Sequence, residues 1–333
     1  MMNTKVMRKK NYAVAIAGFL VGSILAVMVF VFGYLYFVIG LRNYEDTGEI
    51  PIETNLERLD VPDNMSAGMK IPVKSDKYVE NILIIGSDTR DPDKHGRSDA
   101  MILVTINTKT KKIHLTSFSR AIYVSIPDDP DPQYKRYWSS KYMLNAAHTW
   151  GGPRLLMKTI QRNFRIDVSR YVATDFSGFK GAIDEVGGVS INLTAAEAKF
   201  LNRQLGKSLK AGTQLLDGET ALAYARIRKL DSDFKRMGRQ RNVIMALFKK
   251  FAASNPKRMG STAEALMPYV TTNLTDMEFM GLIVDFVSYR NYEIDQLMLP
   301  LEKYGALVII RGMEMYDIDW TKNIDTLHTF MES

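Results

Sequence analysis

The sequence predicts an α/β fold, a central mixed β-sheet flanked by helices on both faces, standing behind a single N-terminal transmembrane helix. Three observations carry that prediction. Residues 12–41, YAVAIAGFLVGSILAVMVFVFGYLYFVIGL, hold no ionisable side chain other than tyrosine. From Tyr78 onward, short β-branched runs are separated by turn residues, two of them spaced as an antiparallel hairpin. After Gly151, runs of helical period alternate with strand-like runs, the order that places helices on both faces of a sheet.

The elements follow in chain order. Roughly 20 apolar residues in a helix cross the hydrocarbon layer, so 12–41 is long enough to span it with tilt. Lys5, Arg8, Lys9 and Lys10 precede it with no acid among residues 1–11, which assigns that tail to the cytoplasm. A cleaved signal peptide fits less well, because the apolar run is about twice the usual length and no small-residue cleavage pattern follows. The expected topology is therefore single-pass type II in the cell membrane, with the remainder of the chain extracellular. Residues 42–77 are polar and broken by Pro51, Pro62 and Pro72, and read as a stalk.

Beyond the stalk, VENILIIG, DAMILVTIN, KIHLTSFS and IYVSIP read as strands, with residues 99–107 and 112–119 joined through NTKTK. GPRLLMKTIQRNF is a helix, YVATDF a strand, SGFKGAIDEVGG a helix, VSINL a strand, and TAAEAKFLNRQLG and LDGETALAYA helices. Residues 262–292 and 305–331 continue as helix, strand and helix. No repeat, low-complexity tract or linker divides this part, so 78–333 is expected to be one domain.

Composition bounds the function. The chain has 333 residues and net charge +7, yet 37 acidic side chains accompany 44 basic ones, so the basic charge is local. With no cysteine there is neither a disulfide framework nor a thiolate metal site. His95, His114, His148 and His328 show no metal-ligand spacing, and His148 reads as structural. There is no Walker loop, dinucleotide fingerprint or Gly-x-Ser-x-Gly elbow, and the glycines of GFKGAIDEVGG read as packing. Nucleic acid is excluded as a partner by the extracellular placement of the basic stretch.

That stretch is YARIRKLDSDFKRMGRQRN, residues 224–242. Arg226 and Arg228 are two apart, and in an extended segment they project from one face, where they repel unless an anion lies between them. A helix follows with apolar residues at 243, 244, 247, 248 and 251. Gln240 lies one turn before Ile244 and Arg236 one turn before Gln240, so both extend its buried stripe. Arginines converging on a helix N-terminus make a phosphate site. Arg239 and Arg241 are out of this phase and read as surface or structural.

NILIIGSDTR places Asp88 past the end of a buried strand, and GRSDAMILV places Asp99 at the head of the next. Two carboxylates on adjoining strand ends suit a shared Mg²⁺, which in turn holds phosphate oxygens. Arg90, Arg97 and Arg120 lie in the same segments.

These stretches, together with SFSRAIYVSIP, LNAAHTWGGP, TDFSGFKGAIDEVGGVSI, LLDGETALAYARIR and DFKRMGRQRNVI, resemble in order the LytR-CpsA-Psr family of Gram-positive cell-wall enzymes. The match runs from about residue 81 to 250. The resemblance implies a phosphotransferase that moves a glycopolymer, such as wall teichoic acid or capsular polysaccharide, from a polyprenyl-pyrophosphate carrier to peptidoglycan through a phosphodiester. It implies Asp88 and Asp99 as Mg²⁺ ligands and Arg120, Arg226 and Arg228 as pyrophosphate-binding and catalytic. Arg236 and Gln240 match the remaining polar pair, and Arg90 and Arg97 match motif arginines. Asp99 is also the candidate proton acceptor, and the lipid requires an apolar channel between sheet and helices. Two positions depart from the family pattern: Ala121 stands where aspartate is usual, leaving Asp231 or Asp233 as substitutes, and Lys235 stands for a glycine. A membrane-anchored lipid-pyrophosphate-binding or regulatory protein, and a pyrophosphatase, are the other readings of the same residues.

Overall fold

The computed structural model describes residues 29, 31, 33–51, 71–88, 95–127, 141–253 and 256–333. Most of the apolar segment 12–41 lies outside them, and among the described residues no helix is long and apolar enough to cross a membrane.

Seven strands form the central sheet: β1 (Asn43–Tyr44), β2 (Val79–Ser87), β3 (Ser98–Asn107), β4 (Lys112–Phe118), and, after the small β5 (Tyr123–Ser125) and β6 (Lys141–Met143) pair, β7 (Arg170–Asp175), β10 (Thr271–Thr272) and β11 (Glu293–Leu299). Their order is β1-β10-β7-β2-β3-β4-β11. The expected hairpin is present, with β3 antiparallel to β4 and Asn107 opposite Lys112. β2 runs antiparallel to β3 and parallel to β7, and β4 runs parallel to β11. The sheet is therefore mixed, and the carboxyl ends of β2, β4 and β7 share one edge with the head of β3. That edge is where open α/β sheets bind ligands.

Strand alternation divides the apolar side chains between two layers. Leu83, Ile85, Met101, Leu103 and Phe118 face helix α1 (Leu144–Phe164), whose Leu155, Leu156, Ile160 and Phe164 are fully buried, and the C-terminal helix Trp320–Glu332. Ile102, Ile106, Ile113 and Leu115 face the opposite way, onto Ile244, Met245, Phe248 and Leu282. Both faces are covered, as the alternation of helix and strand predicts.

Between β7 and the second helical layer the chain builds a satellite. Helix α2 (Phe176–Glu185), strand β8 (Val189–Leu193), helix α3 (Ala195–Leu205), strand β9 (Gly212–Leu216) and helix α4 (Gly218–Ala225) close around Ile183, Val189, Ile191, Leu201 and Tyr224. Their ends are written in the sequence. Asp175, Thr194 and Asp217 cap the three helices, Thr194 in a reciprocal box with Glu197, and Gly206 ends α3 at φ 67°. Helix α5 (Asp233–Ala252) follows under a Ser232 cap and reaches from the satellite to the sheet. Helices α6 (Pro256–Leu266) and α7 (Asp276–Tyr289) come next, the hairpin β12 (Gly305–Ile310) and β13 (Met313–Ile318) follows β11, and α8 (Trp320–Glu332) ends the chain.

Three expectations change. The segment read as a stalk contributes to the domain: β1 pairs with β10, Ile50 enters the core, and Lys74 bridges to Ile166, while 52–70 lie outside the described residues. VSINL pairs with β9 instead of joining the central sheet. The helix expected at 152–164 begins at Leu144 and is interrupted at Gly151 and Gly152; Gly152 has φ 62°, and a Cβ there would lie 2.6 Å from His95 Nε2.

Candidate active site

Two carboxylates line one cavity at the sheet edge. Asp88 follows β2, where its Oδ1 accepts from Arg97 N at 2.6 Å and its own N–H donates to the Arg97 carbonyl at 3.1 Å. Asp99 owes its position to a bulge: Gly86 pairs with Ala100 and Ser87 with Ser98, so Asp99 is the extra residue between two paired ones. Bulges of this kind redirect a side chain, here into the cleft.

Arginines converge on Asp99. Arg120, at the end of β4, donates from Nη1 to Asp99 Oδ1 at 2.8 Å, and Arg228 reaches the same oxygen from Nη2 at 3.5 Å. Gln240 donates to the Asp99 carbonyl at 3.3 Å. Arg236, 2% exposed at its side chain, pairs with Asp233 at 2.7 Å, and its Nε and Nη1 have no partner among the described residues. Burial, with the positive charges of Arg120 and Arg228, pushes Arg236 down to about 10 against the opposing pull of Asp233 and Asp99. Arg228 is also lowered, first by burial and then by Arg120. Cationic groups that depress one another's ionisation mark a place prepared for an anion.

Arg226 and Arg228 do not lie in an extended segment. Arg226 is the C-cap of α4 at φ −101° and ψ 1°, yet the pair still flanks a buried Ile227 and both side chains stay exposed at the cleft. The Arg226 guanidinium lies 4.4 Å from the Phe176 ring centroid, within cation–π range. Arg90 lies outside the described residues.

The surface reading of Arg239 and Arg241 is corrected and the structural one holds. Arg239 donates to Glu197 at 2.6 Å and to the Ile227 carbonyl at 3.1 Å, and also pairs with Asp231; Arg241 donates to Ser117 at 2.8 Å and Gln296 at 2.8 Å. Asp231 is thereby committed, whereas Asp233 faces the cleft. His148 is structural as expected, its Nδ1 2.8 Å from the Gly96 carbonyl and its ring pushed by burial to about 4.

Three cavities adjoin. A polar one of about 420 Å³ is lined by Asp88, Arg97, Asp99, Arg120, Arg226 and Arg228. Asp99, Arg226 and Arg228 also border a second, apolar one of about 240 Å³, walled by Ile84, Ile102, Phe176, Phe179, Leu222 and Ile244. Ile244 and Leu247 continue from it into a third of about 990 Å³ towards α6. A charged mouth thus opens into an apolar interior between sheet and helices, a form suited to an amphiphile with an anionic head. Sequence periodicity left Ile244 and Leu247 as ordinary core, because it cannot distinguish a side chain lining a channel from one filling a void.

Among the described residues no group of three or more His, Cys, Asp or Glu side chains could hold a metal alone. Asp88 and Asp99 nevertheless line one polar cavity, and a pair of carboxylates completed by phosphate oxygens and water is a suitable donor set for Mg²⁺.

A mixed sheet gathers two aspartates and four arginines at one edge, beside an apolar cavity between sheet and helices, a combination of charge and shape that suits a phosphorylated amphiphile. The chain belongs to the LytR_cpsA_psr family, which it matches over residues 52–331. It is 32% identical over 248 residues to the polyisoprenyl-teichoic acid–peptidoglycan teichoic acid transferase TagV of Bacillus subtilis, covering 71% of this chain and 62% of that protein, somewhat less than two thirds of its length. It is likewise 32% identical to the regulatory protein MsrR of Staphylococcus aureus, covering 69% of this chain and 67% of MsrR. The solved structure of YwtF (TagT), a LytR-CPS2A-psr family protein with bound octaprenyl pyrophosphate lipid, covers 86% of this chain and 100% of its own with a TM-score of 0.59 at 22% identity, a likeness of fold.

Proposed function

We propose that this chain is a Mg²⁺-dependent phosphotransferase of the outer face of the cell membrane, which moves a glycopolymer from a polyprenyl-pyrophosphate carrier to peptidoglycan through a phosphodiester bond. One observation carries the proposal: the arginine-rich cavity at Asp99 opens directly into the apolar cavity between α2, α4 and α5. A pyrophosphate joined to a polyprenyl tail needs that combination, and neither half alone requires the other. The names of TagV and of the lipid-bound YwtF structure support the same reading. The apolar segment 12–41 and the basic tail before it support a type II anchor, which would hold the channel close to the lipid's own bilayer.

In this reading Arg120, Arg226 and Arg228 bind the pyrophosphate, and the buried charge of Arg236 behind them adds to the same positive field. Asp88 and Asp99 would hold Mg²⁺, whose contribution is to neutralise phosphate oxygens as charge moves to the leaving group. The acceptor hydroxyl oxygen attacks the phosphorus that carries the cargo sugar, forming one P–O bond. The P–O bond to the second phosphate breaks, and polyprenyl monophosphate leaves with the electron pair. The arginines stabilise that charge at fixed positions without reorganisation. The hydroxyl proton passes to a carboxylate. Asp99 is one candidate, with Oδ1 engaged by Arg120 and Arg228, and Asp233, with Oδ1 engaged by Arg236, is the other. Asp233 lines the cleft on the other side of Arg120, where Ala121 offers only a methyl group.

The test incubates the full chain in detergent with a polyprenyl-pyrophosphate-linked disaccharide, Mg²⁺ and peptidoglycan oligomers, and follows lipid monophosphate release and sugar attachment by mass spectrometry. Asp99→Asn and Arg226→Ala are each expected to lower attachment at least about 100-fold, the scale of losing one preorganised charge partner. A second reading, a lipid-binding regulator, draws on Ala121 and on the name of MsrR. Tight lipid binding with neither release nor attachment would establish that one and end the first, and release into water alone would identify a pyrophosphatase.

A further inference from the structure

A fourth cavity, of about 700 Å³, opens on the far side of Arg120. Arg97 and Arg120 line both it and the polar cavity that holds Asp88 and Asp99, so these two side chains are a common wall. Its other walls differ in kind from the lipid channel. Tyr142 and Trp150, their rings 5.2 Å apart, come from β6 and α1, and Tyr316 comes from β13. The β12–β13 hairpin is fixed over the opening by a hydrogen bond from Tyr316 N to the Ala121 carbonyl at 2.8 Å. Asn145, only 5% exposed, lines the cavity with a side-chain amide that makes no hydrogen bond among the described residues.

Resting on the transferase reading, we propose that this groove seats the acceptor as an uncharged stretch of glycan. A pyranose ring presents an apolar C–H face, which packs on aromatic rings, and a rim of hydroxyls, which require a donor and acceptor such as the unpartnered Asn145 amide. Two carboxylates, Asp233 and Glu314, offset Arg97 and Arg120 here, so the groove has no net attraction for a phosphate-rich cargo polymer. Its position completes the chemistry. An acceptor lying there approaches across the Arg120 wall, from the side away from the lipid channel, so its hydroxyl meets the phosphorus opposite the departing polyprenyl phosphate. Asp233 stands at that entrance, with Oδ1 held by Arg236 at 2.7 Å and Oδ2 3.4 Å from Ser119 Oγ.

The experiment uses the full chain in detergent with a peptidoglycan glycan oligomer and has two readouts. Saturation-transfer NMR with the oligomer alone reads binding, and transfer kinetics read the KM of acceptor and of lipid donor separately. Tyr316→Ala and the exposed Glu314→Lys are compared with Tyr316→Phe, which keeps the ring. Tyr316→Ala is expected to raise acceptor KM at least tenfold and abolish the NMR contact, with donor KM unchanged and Tyr316→Phe close to wild type. Glu314→Lys is expected to improve competition by a polyanionic teichoic fragment. Unchanged acceptor KM in Tyr316→Ala, or a rise confined to donor KM, would overturn the proposal, the latter placing donor sugars in the groove. Oligomer binding that depends on Tyr316 without any transfer by wild type would leave the groove standing and defeat the transferase reading instead.

Discussion

Arg239 shows how a residue that does not line the polar cavity shapes the cleft. Its guanidinium is 5% exposed and holds Glu197, Asp231 and the carbonyl of Ile227, the residue between Arg226 and Arg228. Burial would lower its ionisation, but the bonds to Asp231 and Glu197 prevail and raise it, so it is a fixed cation. Arg239→Met leaves the buried Glu197 carboxylate without its cation, held only by Thr194, and frees the turn carrying both cleft arginines. Removing one partner of a buried pair costs about 3 to 5 kcal/mol. Urea denaturation should show a loss of that order, and Glu197→Gln in the same chain should recover part of it; a loss below about 1 kcal/mol would mean the turn is held by packing alone. The inward phase of Arg236 and Gln240 could be read from helical spacing, and so could the pairing of Asp88 with Asp99 as residues at strand ends. Arg239 could not, because its partners come from α3 and from the 226–231 turn, and side-chain pairing across such distances leaves no local signal.

At the scale of elements, the channel depends on how closely α2 and α4 cross. A Cβ on Gly218 would lie 2.2 Å from the Lys180 carbonyl oxygen, and the Gly218 N–H donates to Asp184 Oδ1 at 2.7 Å. Phe176, Phe179, Leu222 and Ala225 line the channel from these same two helices. Gly218→Ala must therefore separate them, at the cost of about 1 to 3 kcal/mol typical of overpacking. It should also widen the apolar cavity, so that the mutant tolerates longer or branched lipid tails relative to wild type in competition binding. A mutant as stable as the parent, with unaltered tail preference, would show that the crossing is not tight in solution. Here the sequence spoke unevenly. The helices at 194–206 and 216–225 and the β3–β4 hairpin were legible from their periods, whereas Asp175, read as part of a strand, proves to cap α2. The β2–β3 bulge was hidden, since Asp99 is displaced by a register shift that only the paired strand defines. The β8–β9 ribbon was hidden for a related reason: VSINL has the period of any half-buried strand, and nothing local says which partner it will take.

For the whole molecule, the cavities link one edge of the sheet to the region beside α6, where the N-terminal helical residues 33–39 also arrive. Tyr34 donates to Glu264 at 3.0 Å, and a Cβ on Gly260 would lie 3.2 Å from the Tyr34 ring. The C-terminal part of the apolar segment 12–41 thus packs on α6, which also borders the third cavity. A lipid pyrophosphate filling both ends would tie the sheet, the satellite and α5 together. A ligand that binds only the folded chain stabilises it by about 2.7 kcal/mol at 100 times Kd. For a domain of this size each kcal/mol moves Tm by about 2 to 4 °C, so octaprenyl pyrophosphate should raise Tm by about 5 to 10 °C in differential scanning fluorimetry. The increase should shrink when Mg²⁺ is chelated and in Arg228→Ala, because both remove charge from the polar end. Octaprenol, which has the tail without the phosphates, should give only a small part of it. Equal shifts from octaprenol and from the pyrophosphate would show that the arginine cluster contributes nothing to binding, and would break the link between cleft and channel on which the proposed function stands.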